Sequence, residues 1–296
     1  MIERLSIAIP FHRRRDYLEI AVTSALAQSS VFEVVVLDDG GIEQGAEAWL
    51  EDLGDPRLAY HRNPENLGMV PTWNACFERS SGELLTLLHA DDQLLPSYAS
   101  LMLELAAAHP QATALCCNAT IIDADGKPRF SLADAVKPLF RSRGPDPLVI
   151  DGEAGLRALM AGNFIMCPTL CYRRAALGAR RFDPRWRQVQ DLELTSRLVL
   201  DGDSIVCSRQ RAYAYRRHPE GATAVQSESR LRFDEEFALF EGVASRADER
   251  GWSAAARVSG GMRVIKLHLL YRALRELLRL RFASARGWLR YLLDHR

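Results

Sequence analysis

Two acidic side chains, Asp91 and Asp92, stand together at the end of the segment LLTLLHADD. The residues before them are mostly apolar, as in a buried strand. Because burying an unpaired charge costs free energy, carboxylates at such a position need a cation, a hydrogen-bonding ligand or water. This stretch alone leaves two alternatives open: a ligand site, or a strand that runs into a solvated turn with Asp92 capping the next helix.

The elements that must position these acids alternate between two periodicities over the first hundred residues. Short apolar, β-branched runs predict strands, and stretches with apolar residues at helical spacing predict helices between them. The strands are predicted at 5–10, 32–40, 57–62 and 83–89, and the helices at 16–28, 44–53 and 70–80. This order predicts an α/β fold with a mainly parallel central sheet. Ligands of such sheets bind beyond the carboxyl ends of the strands, where IPFH, LDDGG and LHADD lie.

The second half of the chain has a less regular pattern. The segment ALCCNATIID predicts another strand, and residues 124–150 form a loop rich in Pro, Gly and Arg. Helices are predicted near 153–160 and 192–200, while SIVCS and RAYAYRRH predict two final strands. From about residue 226 the chain is predicted to be helical almost to its end.

The composition, with 48% hydrophobic and 26% charged residues over 296 positions, is that of an ordinary globular protein. No apolar run approaches the length of a membrane span, and the first residues, MIERLSIAIPFHRRR, lack the order of a secretory signal. The six cysteines show no spacing typical of a disulfide framework or a zinc site. These observations predict a protein of the reducing cytoplasm, either unattached or peripheral at the inner face of the membrane.

The order of the motifs resembles that of the inverting family 2 glycosyltransferases, which have a GT-A fold. The resemblance covers about residues 5–223 and rests on segments that follow one another in the family's order. They are SIAIPFHRRRDYLEIAVTSALAQ, VVVLDDGG, NPENLGMVPTWN, SGELLTLLHADDQLLP, RFDPRWRQVQDLELTSRL and YAYRRHPEGAT. The resemblance implies a catalytic domain over 1–225, with a donor half at about 1–123 and an acceptor half at about 124–225. A basic amphipathic helical region over 226–296 would follow it.

The resemblance also implies a nucleotide-sugar donor and a divalent metal ion, Mn²⁺ or Mg²⁺. Phe11 would pack on the nucleotide base, and Asp39 would accept a hydrogen bond from the ring N–H of the base. Asp91 would hold the ribose, while Asp92 and His218 would ligate the metal ion that bridges the diphosphate oxygens. The donor-binding residues implied in this way are Pro10, Phe11, His12, Asp39, Asn66, Gly68, Asn74 and Asp91.

A further carboxylate, Asp191, follows the segment FDPRW and opens a helical pattern. In the family the matching acid is the general base, which removes a proton from the acceptor hydroxyl as it attacks the anomeric carbon. The alternative is an acid in the first turn of a helix that only interacts with the helix dipole. Glu193 is the next candidate for the base. No Gln-x-x-Arg-Trp segment follows Asp191, which predicts a non-processive enzyme.

Five positions depart from the residues that are usual in the family. They are His12 in place of Asn, Gly41 in place of Ser, Trp73 in place of an Arg, His89 in place of the first acid of Asp-x-Asp-Asp, and Gln190 in place of an acid. The changes at His12 and Trp73 bear on the nucleotide and the donor sugar. Asp92 and Asp191, the two acids expected to do the chemistry, are both retained.

Other classes of protein fit the sequence less well. A sugar-1-phosphate nucleotidyltransferase would open with a glycine-rich phosphate loop, and IPFHRRRDY contains no glycine. A dinucleotide-dependent oxidoreductase would carry Gly-x-Gly-x-x-Gly after the first strand. A catalytically silent relative that binds a nucleotide sugar or a partner remains as the alternative.

The expected function is therefore transfer of a sugar from a UDP-, GDP- or dTDP-sugar to a saccharide or a lipid-linked saccharide. The resemblance places this reaction in the assembly of bacterial surface polysaccharide or glycolipid. No nucleic acid partner is expected, because the chain as a whole carries no net charge.

The last forty residues differ in charge from the rest of the chain. Residues 257–296 hold ten Arg or Lys against two acids, Glu276 and Asp294. An apolar stripe in this segment consists of Val264, Leu267, Leu270, Leu274, Leu277 and Leu278. We expect the stripe to pack against the catalytic domain, because it is too apolar to stay exposed in a soluble monomer. Contact with an anionic membrane surface and a homodimer through these helices are the alternatives.

Overall fold

The computed structural model describes residues 3–129, 145–219, 221 and 230–294. Within these residues, nine strands form one sheet. They are β1 (Leu5–Phe11), β2 (Val31–Asp38), β3 (Leu58–Arg62), β4 (Leu84–Leu87), β5 (Gln93–Leu94), β6 (Ala114–Ile122), β7 (Leu148–Ile150), β8 (Cys171–Arg173) and β9 (Ile205–Arg216). The apolar runs form strands here because both faces of the sheet are covered, so side chains of either register are buried.

The strand order is β3-β2-β1-β4-β8-β6-β9-β5, and β7 pairs with β9. The first four strands of this order are parallel to one another. Strand β8 runs antiparallel to both β4 and β6, and β9 is parallel to β6. The sheet is therefore mixed, and its longest ladders are parallel, which confirms the predicted α/β fold.

Helices cover both faces of the sheet. In the first two hundred residues they are α1 (Arg15–Leu26), α2 (Ala46–Asp52), α3 (Met69–Arg79), α4 (Tyr98–Ala108), α5 (Gly152–Ala161), α6 (Arg174–Leu177) and α7 (Gln190–Leu200). The C-terminal helices are α8 (Leu231–Glu249), α9 (Ser253–Gly261), α10 (Arg263–Leu278) and α11 (Phe282–Asp294). Sequence reasoning missed α4, because YASLMLELAAA is apolar on nearly every side and shows no clear helical period.

Two apolar cores lie on the two faces of the sheet. Alternation along β1 divides them: Ile7 and Ile9 join the core that contains residues of α1 and α4, while Ala8 joins the core that contains residues of α3 and α7. Phe233 and Phe237 of α8 belong to the second of these cores. The predicted domain boundary at residue 225 lies outside the described residues.

The structure differs from the predicted elements at two places in the second half. SIVCS and RAYAYRRH belong to one continuous strand, β9, because the polar residues between them form a bulge opposite β6 rather than a turn. Strand β7 lies inside the segment predicted as a loop over 124–150. Residues 130–144 of that predicted loop are outside the described residues.

The expectation that the cysteines are unpaired was also wrong at one pair. Cys116 and Cys207 form a disulfide bond, although 91 residues separate them. The parallel register of β6 and β9 places these two residues opposite each other. Spacing along the sequence cannot show a pairing of this kind, because it depends on which strands become neighbours.

The leucine stripe of α10 does not pack inward as expected. Leu267 is 63% exposed and Leu278 is 77% exposed. The buried face is the opposite one, which carries Ile265, Leu269 and Ala273. The helix therefore has apolar residues on two faces. The face that was predicted to be buried is the one that is exposed in the structure. Among the described residues, no helix is both long enough and apolar enough to cross a membrane.

The aromatic ring of Phe233 joins α8 to the last two helices. The side chain is fully buried. Its ring centroid lies 5.0 Å from that of His268 and 5.5 Å from that of Trp288, with edge-to-face geometry in both pairs. Edge-to-face pairs of this kind stabilise a core beyond the burial of their area.

We predict that Phe233→Ala lowers the free energy of unfolding by about 3–5 kcal/mol, because it leaves a cavity between three helices. Urea unfolding of the purified chain measures this change. Leu231→Ala, at a side chain that is 39% exposed on the same helix, is the matched control and should cost less than about 1 kcal/mol. Equal losses in the two variants would contradict the packing described for Phe233.

Candidate functional site

A cavity of about 960 Å³ opens at the carboxyl ends of β1, β2 and β4. The turns after these strands, the first turn of α7, the end of β9 and one side of α8 line it. The cavity brings together nine of the residues singled out in the sequence, namely Pro10, Phe11, His12, Asp39, Asn66, Gly68, Asp91, Asp191 and His218. Its volume is in the range of pockets that hold cofactor-sized molecules.

The Asp39 carboxylate fixes the loop that enters α3. It accepts hydrogen bonds from the backbone N–H groups of Leu67 and Gly68, at 2.8 and 2.9 Å, and from the Asn63 side chain at 2.9 Å. Gly68 suits this turn because its φ is +85°, which side chains disfavour. Asp39 is only 4% exposed, so most of its hydrogen-bonding capacity is used within the protein.

His12 and Asn66 form a polar wall above this loop. The backbone carbonyl of Asp39 accepts a hydrogen bond from His12 Nδ1 at 2.8 Å, and Asn66 Nδ2 lies 3.2 Å from His12 Nε2. A carbonyl can only accept, so Nδ1 carries the proton, and Nε2 is left to accept from the Asn66 amide. The Asn66 side-chain oxygen accepts from the Gly68 N–H at 2.9 Å, which agrees with this orientation.

Two residues expected to bind the donor occupy other environments. Asn74 does not line the cavity: its side chain donates to the Phe182 carbonyl at 2.8 Å and accepts from the Phe182 N–H at 3.0 Å. It therefore ties α3 to the segment before α7. Phe11 reaches the cavity wall, but it is 1% exposed and belongs to the core, so little of its ring can face a nucleotide base.

The neighbouring acids Asp91 and Asp92 point to different surroundings. Asp92 is fully buried and accepts hydrogen bonds from the Tyr213 hydroxyl at 2.9 Å and from the Arg216 N–H at 2.7 Å. Burial, together with the charge of Asp91, raises the pKa of Asp92 well above its usual range. Asp91 lines the cavity, and its Oδ2 lies 2.9 Å from His218 Nε2. Asp91 is therefore the acid of this pair that lines the cavity. The family resemblance implied that Asp92 ligates the metal ion.

Burial opposes the charged form of Asp91, but the hydrogen bond with His218 and the two nearby histidines outweigh it and lower the pKa of Asp91. The second histidine is His89, whose ring stacks on Trp73 with centroids 5.1 Å apart. His89 and Trp73 are two of the departures from the family pattern, and the structure shows that they are in contact. A stacked pair of rings lines this wall where the family usually has an Arg and an acid.

The donor set at this edge of the sheet fits a divalent cation. Ligand atoms of His89, Asp91 and Asp92 lie within 4.8 Å of one another. Within the described residues, His89 Nε2 and His218 Nδ1 are buried and have no hydrogen-bond partner. Carboxylate oxygens and imidazole nitrogens are ordinary ligands of divalent metals.

Asp191 lies in the first turn of α7 and lines the same cavity. Glu193, the other candidate for the base, is not among the residues that line the cavity, and its carboxylate pairs with Arg197 at 2.7 Å. Cys167 also lines the cavity, and burial, followed by the charges of Asp191 and Asp92, raises the pKa of its thiol. Both carboxylates are therefore within electrostatic reach of one side chain.

The C-terminal helix α8 holds the segment that leads to Asp191. The buried Glu235 carboxylate accepts hydrogen bonds from the Arg187 N–H at 3.0 Å and from the Gln188 N–H at 2.8 Å. Sequence reasoning missed this contact, because no local motif links an acid on a helix to backbone groups nearly fifty residues earlier. Arg232 and Glu236, one turn apart on α8, also line the cavity.

Of the two arginines that follow the YAY segment, Arg216 has a structural role. It is 3% exposed, and its guanidinium donates to the Asp91 carbonyl at 2.7 Å and to the Asp123 and Ala124 carbonyls. Arg217 lines the cavity. Arg216 also lines the cavity, but its guanidinium is committed to these three carbonyls and thus holds the turn that carries Asp91.

A mixed sheet with a cavity at the carboxyl ends of its parallel strands agrees with the GT-A fold that the sequence predicts, and the comparison with solved structures shows this fold. The chain superposes on S. aureus TarS 1–349 in complex with UDP-GlcNAc with a TM-score of 0.64. The match covers 96% of this chain and 90% of that chain, at 14% sequence identity. The model of glycosyl transferase family 2 matches residues 6–177, and the chain belongs to this family.

Curated relatives match over shorter segments. The O-antigen biosynthesis protein RfbC of Myxococcus xanthus is 33% identical over 120 residues, which are 39% of this chain and 9% of RfbC. The succinoglycan biosynthesis protein ExoU of Rhizobium meliloti is 37% identical over 91 residues, which are 30% of this chain and 27% of ExoU. The chain thus matches well under a third of the length of either relative.

We predict that Glu235→Gln loosens the segment before Asp191. The amide keeps one acceptor oxygen but turns an NH₂ group toward backbone N–H donors, which should cost about 1–3 kcal/mol locally. Hydrogen exchange of the Arg187 and Gln188 amides should become roughly tenfold to a hundredfold faster. Glu241→Gln, at an exposed acid of the same helix, is the control. Unchanged exchange at these two amides would show that Glu235 does not hold them.

Proposed function

We propose that this chain is a metal-dependent, inverting and non-processive glycosyltransferase that moves a sugar from a nucleotide sugar to a hydroxyl acceptor. The observation that carries the proposal is the placement of Asp191 in one cavity with Asp91 and His218. Asp91 lies 100 positions before Asp191 and 127 before His218 in the chain, and the sheet edge and α7 bring the three together. Family membership supports the reaction class.

The donor occupies the part of the cavity near β1 and β2 in this proposal. The His12–Asn66 wall offers polar groups to the nucleotide, and the partly exposed ring of His89, which stacks on the buried Trp73, offers an aromatic surface. Asp39 supports this wall through the loop that it anchors, and contributes to donor binding indirectly. UDP is the first nucleotide to test, because the structurally similar TarS was solved with UDP-GlcNAc and with UDP.

The metal ion is assigned to Asp91 and His218, with His89 within reach. Asp92 is proposed to hold the turn that presents Asp91, since both of its oxygens already accept hydrogen bonds. A bound Mn²⁺ or Mg²⁺ would neutralise the diphosphate and stabilise the charge that develops on the leaving group. Imidazole ligands favour Mn²⁺ of the two, because Mg²⁺ takes oxygen ligands almost exclusively.

Asp191 is the proposed general base. It accepts the proton of the acceptor hydroxyl as that oxygen forms a bond to the anomeric carbon and the nucleoside diphosphate leaves. A single displacement of this kind inverts the configuration at the anomeric carbon. Glu235 acts as a positioning residue, because it holds the backbone immediately before the helix that carries Asp191.

The acceptor side of the cavity is formed in part by α8 in this proposal. Arg232 and Glu236 line it and pair with each other at 2.9 Å, and Arg187 lies beside them on the cavity wall. These polar side chains suit a saccharide acceptor, whose hydroxyl groups need both donors and acceptors. The curated relatives act in O-antigen and succinoglycan biosynthesis, which supports a role in polysaccharide assembly.

We predict that Asp191→Asn lowers turnover by roughly 10²–10⁴-fold, the usual contribution of general-base assistance, and leaves UDP affinity unchanged. Asn keeps the shape of Asp and its compatibility with a helix start, so folding should be unaffected. The measurement is UDP release from a panel of UDP-sugars with Mn²⁺ and a panel of saccharide acceptors, beside a titration with UDP.

Glu193→Gln is the matched control, two residues along the same helix, and it should retain most of the activity. Full turnover in Asp191→Asn, or turnover that falls only in step with UDP affinity, would remove Asp191 from the catalytic role. A wild-type chain that binds UDP but releases none from any donor would instead favour a catalytically silent relative.

A further inference from the structure

Exposed apolar side chains are concentrated at the C-terminal end of the chain. Within the described residues, ten of the seventeen large apolar side chains that are exposed lie between residues 267 and 293. The other seven are scattered singly over the earlier part of the chain, as is normal for a protein surface. A cluster of this density indicates a surface that binds something.

Helix α10 presents its share of this cluster along one face. Leu267, Leu270, Leu274 and Leu278 follow at helical spacing and are between 45 and 77% exposed. The opposite face is buried and packs on the rest of the protein. Among the described residues, none covers these leucines, so their side chains face outward.

The cluster continues through the turn into α11, which packs against α10. Leu280 in the turn is 76% exposed, and Phe282 at the start of α11 is 64% exposed. Further along α11, Leu289 and Leu293 are also exposed, at the spacing of the same helical face as Phe282. We call the exposed apolar residues from 267 to 293 the apolar hairpin surface.

The charge around the apolar hairpin surface is positive. The two helices carry two acids: Asp294 is exposed at the end of α11, and Glu276 is buried, with the guanidinium groups of Arg275, Arg279 and Arg281 at 3.6 to 3.8 Å from its carboxylate. The same two helices also carry the basic residues Arg263, Lys266, Arg286 and Arg290. Long basic side chains at the edge of an apolar face can keep their charges at the level of phosphate groups while the apolar face is buried.

We propose that the apolar hairpin surface docks in the plane of an anionic phospholipid bilayer. Apolar side chains would enter the boundary between headgroups and acyl chains, and the surrounding arginines would contact lipid phosphates. A second copy of the chain fits the surface less well, because a two-fold contact would bring two arginine-rich edges together. Since no described helix is suited to crossing the membrane, binding is at its surface.

The position of this surface in the fold is consistent with an acceptor carried by a lipid. Helix α8 faces the cavity with Arg232 and Glu236, and its Phe233 contacts His268 of α10 and Trp288 of α11. One helix thus separates the apolar hairpin surface from the cavity. The docking proposal itself depends only on the exposed residues and their charges, and stands apart from the proposed reaction.

The test is co-sedimentation of the full chain with lipid vesicles. One set contains phosphatidylglycerol and phosphatidylcholine in roughly equal amounts, and the other contains phosphatidylcholine alone. We expect binding to the first set, weakened by high salt, and little to the second. The double variant Leu274→Gln/Leu278→Gln should bind the anionic vesicles at least about tenfold more weakly, because two of the most exposed leucines are lost.

The matched control is Ile42→Gln/Leu53→Gln, which removes two exposed apolar side chains far from the hairpin and should bind as the wild type does. Melting curves check that both variants fold. Absence of binding to anionic vesicles, or equal binding by the hairpin variant, would overturn the proposal. Sedimentation velocity tests for a dimer. If the wild-type chain self-associates but does not bind vesicles, and the hairpin variant no longer self-associates, the surface is a dimer contact and the membrane proposal is overturned.

Discussion

The arrangement of the cavity depends on the buried carboxylate of Asp92. It joins the turn after β4 to the end of β9, since it accepts from the Tyr213 hydroxyl and from the Arg216 N–H. A fully buried acid is costly unless its oxygens are satisfied, so this contact fixes the turn against the last strand. Asp91 is then directed into the cavity, and His218 arrives 2.9 Å from its carboxylate.

Buried carboxylates also accept hydrogen bonds from the backbone at two other points around the cavity. Asp39 accepts hydrogen bonds from backbone N–H groups of the loop before α3, and Glu235 accepts them from the segment before α7. The carboxylates of Asp39 and Glu235 therefore hold the backbone of the cavity walls, and two further acids, Asp91 at the sheet edge and Asp191 of α7, line the cavity. The site is thus rigid where backbone amides meet buried carboxylates, which is the condition for holding reactive groups at fixed positions.

The sequence was sufficient for most strands and helices of the first hundred residues, because apolar runs and helical spacing are local properties. It missed α4 and β7, and it divided β9 into two strands. It placed nine site residues in one cavity, since carboxyl ends of parallel strands converge. It could not assign roles to Asp91 and Asp92, because adjacent residues can point in opposite directions and only their partners distinguish them. The sequence also did not show the hydrogen bonds of Asn74 to Phe182 or of Glu235 to Arg187 and Gln188, because these bonds join residues far apart in the chain. The exposed face of α10 was misjudged because the helix is apolar on two sides.

The central claim is that Asp91 and His218, supported by Asp92, would hold a divalent metal ion in the cavity that Asp191 also lines. A crystal of the full chain grown with UDP and Mn²⁺ tests it most directly, because the anomalous scattering of manganese locates the ion without reference to the protein. The account predicts one strong peak in contact with the Asp91 carboxylate and the His218 ring, with the Tyr213–Asp92 bond intact. A peak coordinated by Asp92 and out of contact with Asp91, or no peak at this edge of the sheet while UDP is bound, would contradict it.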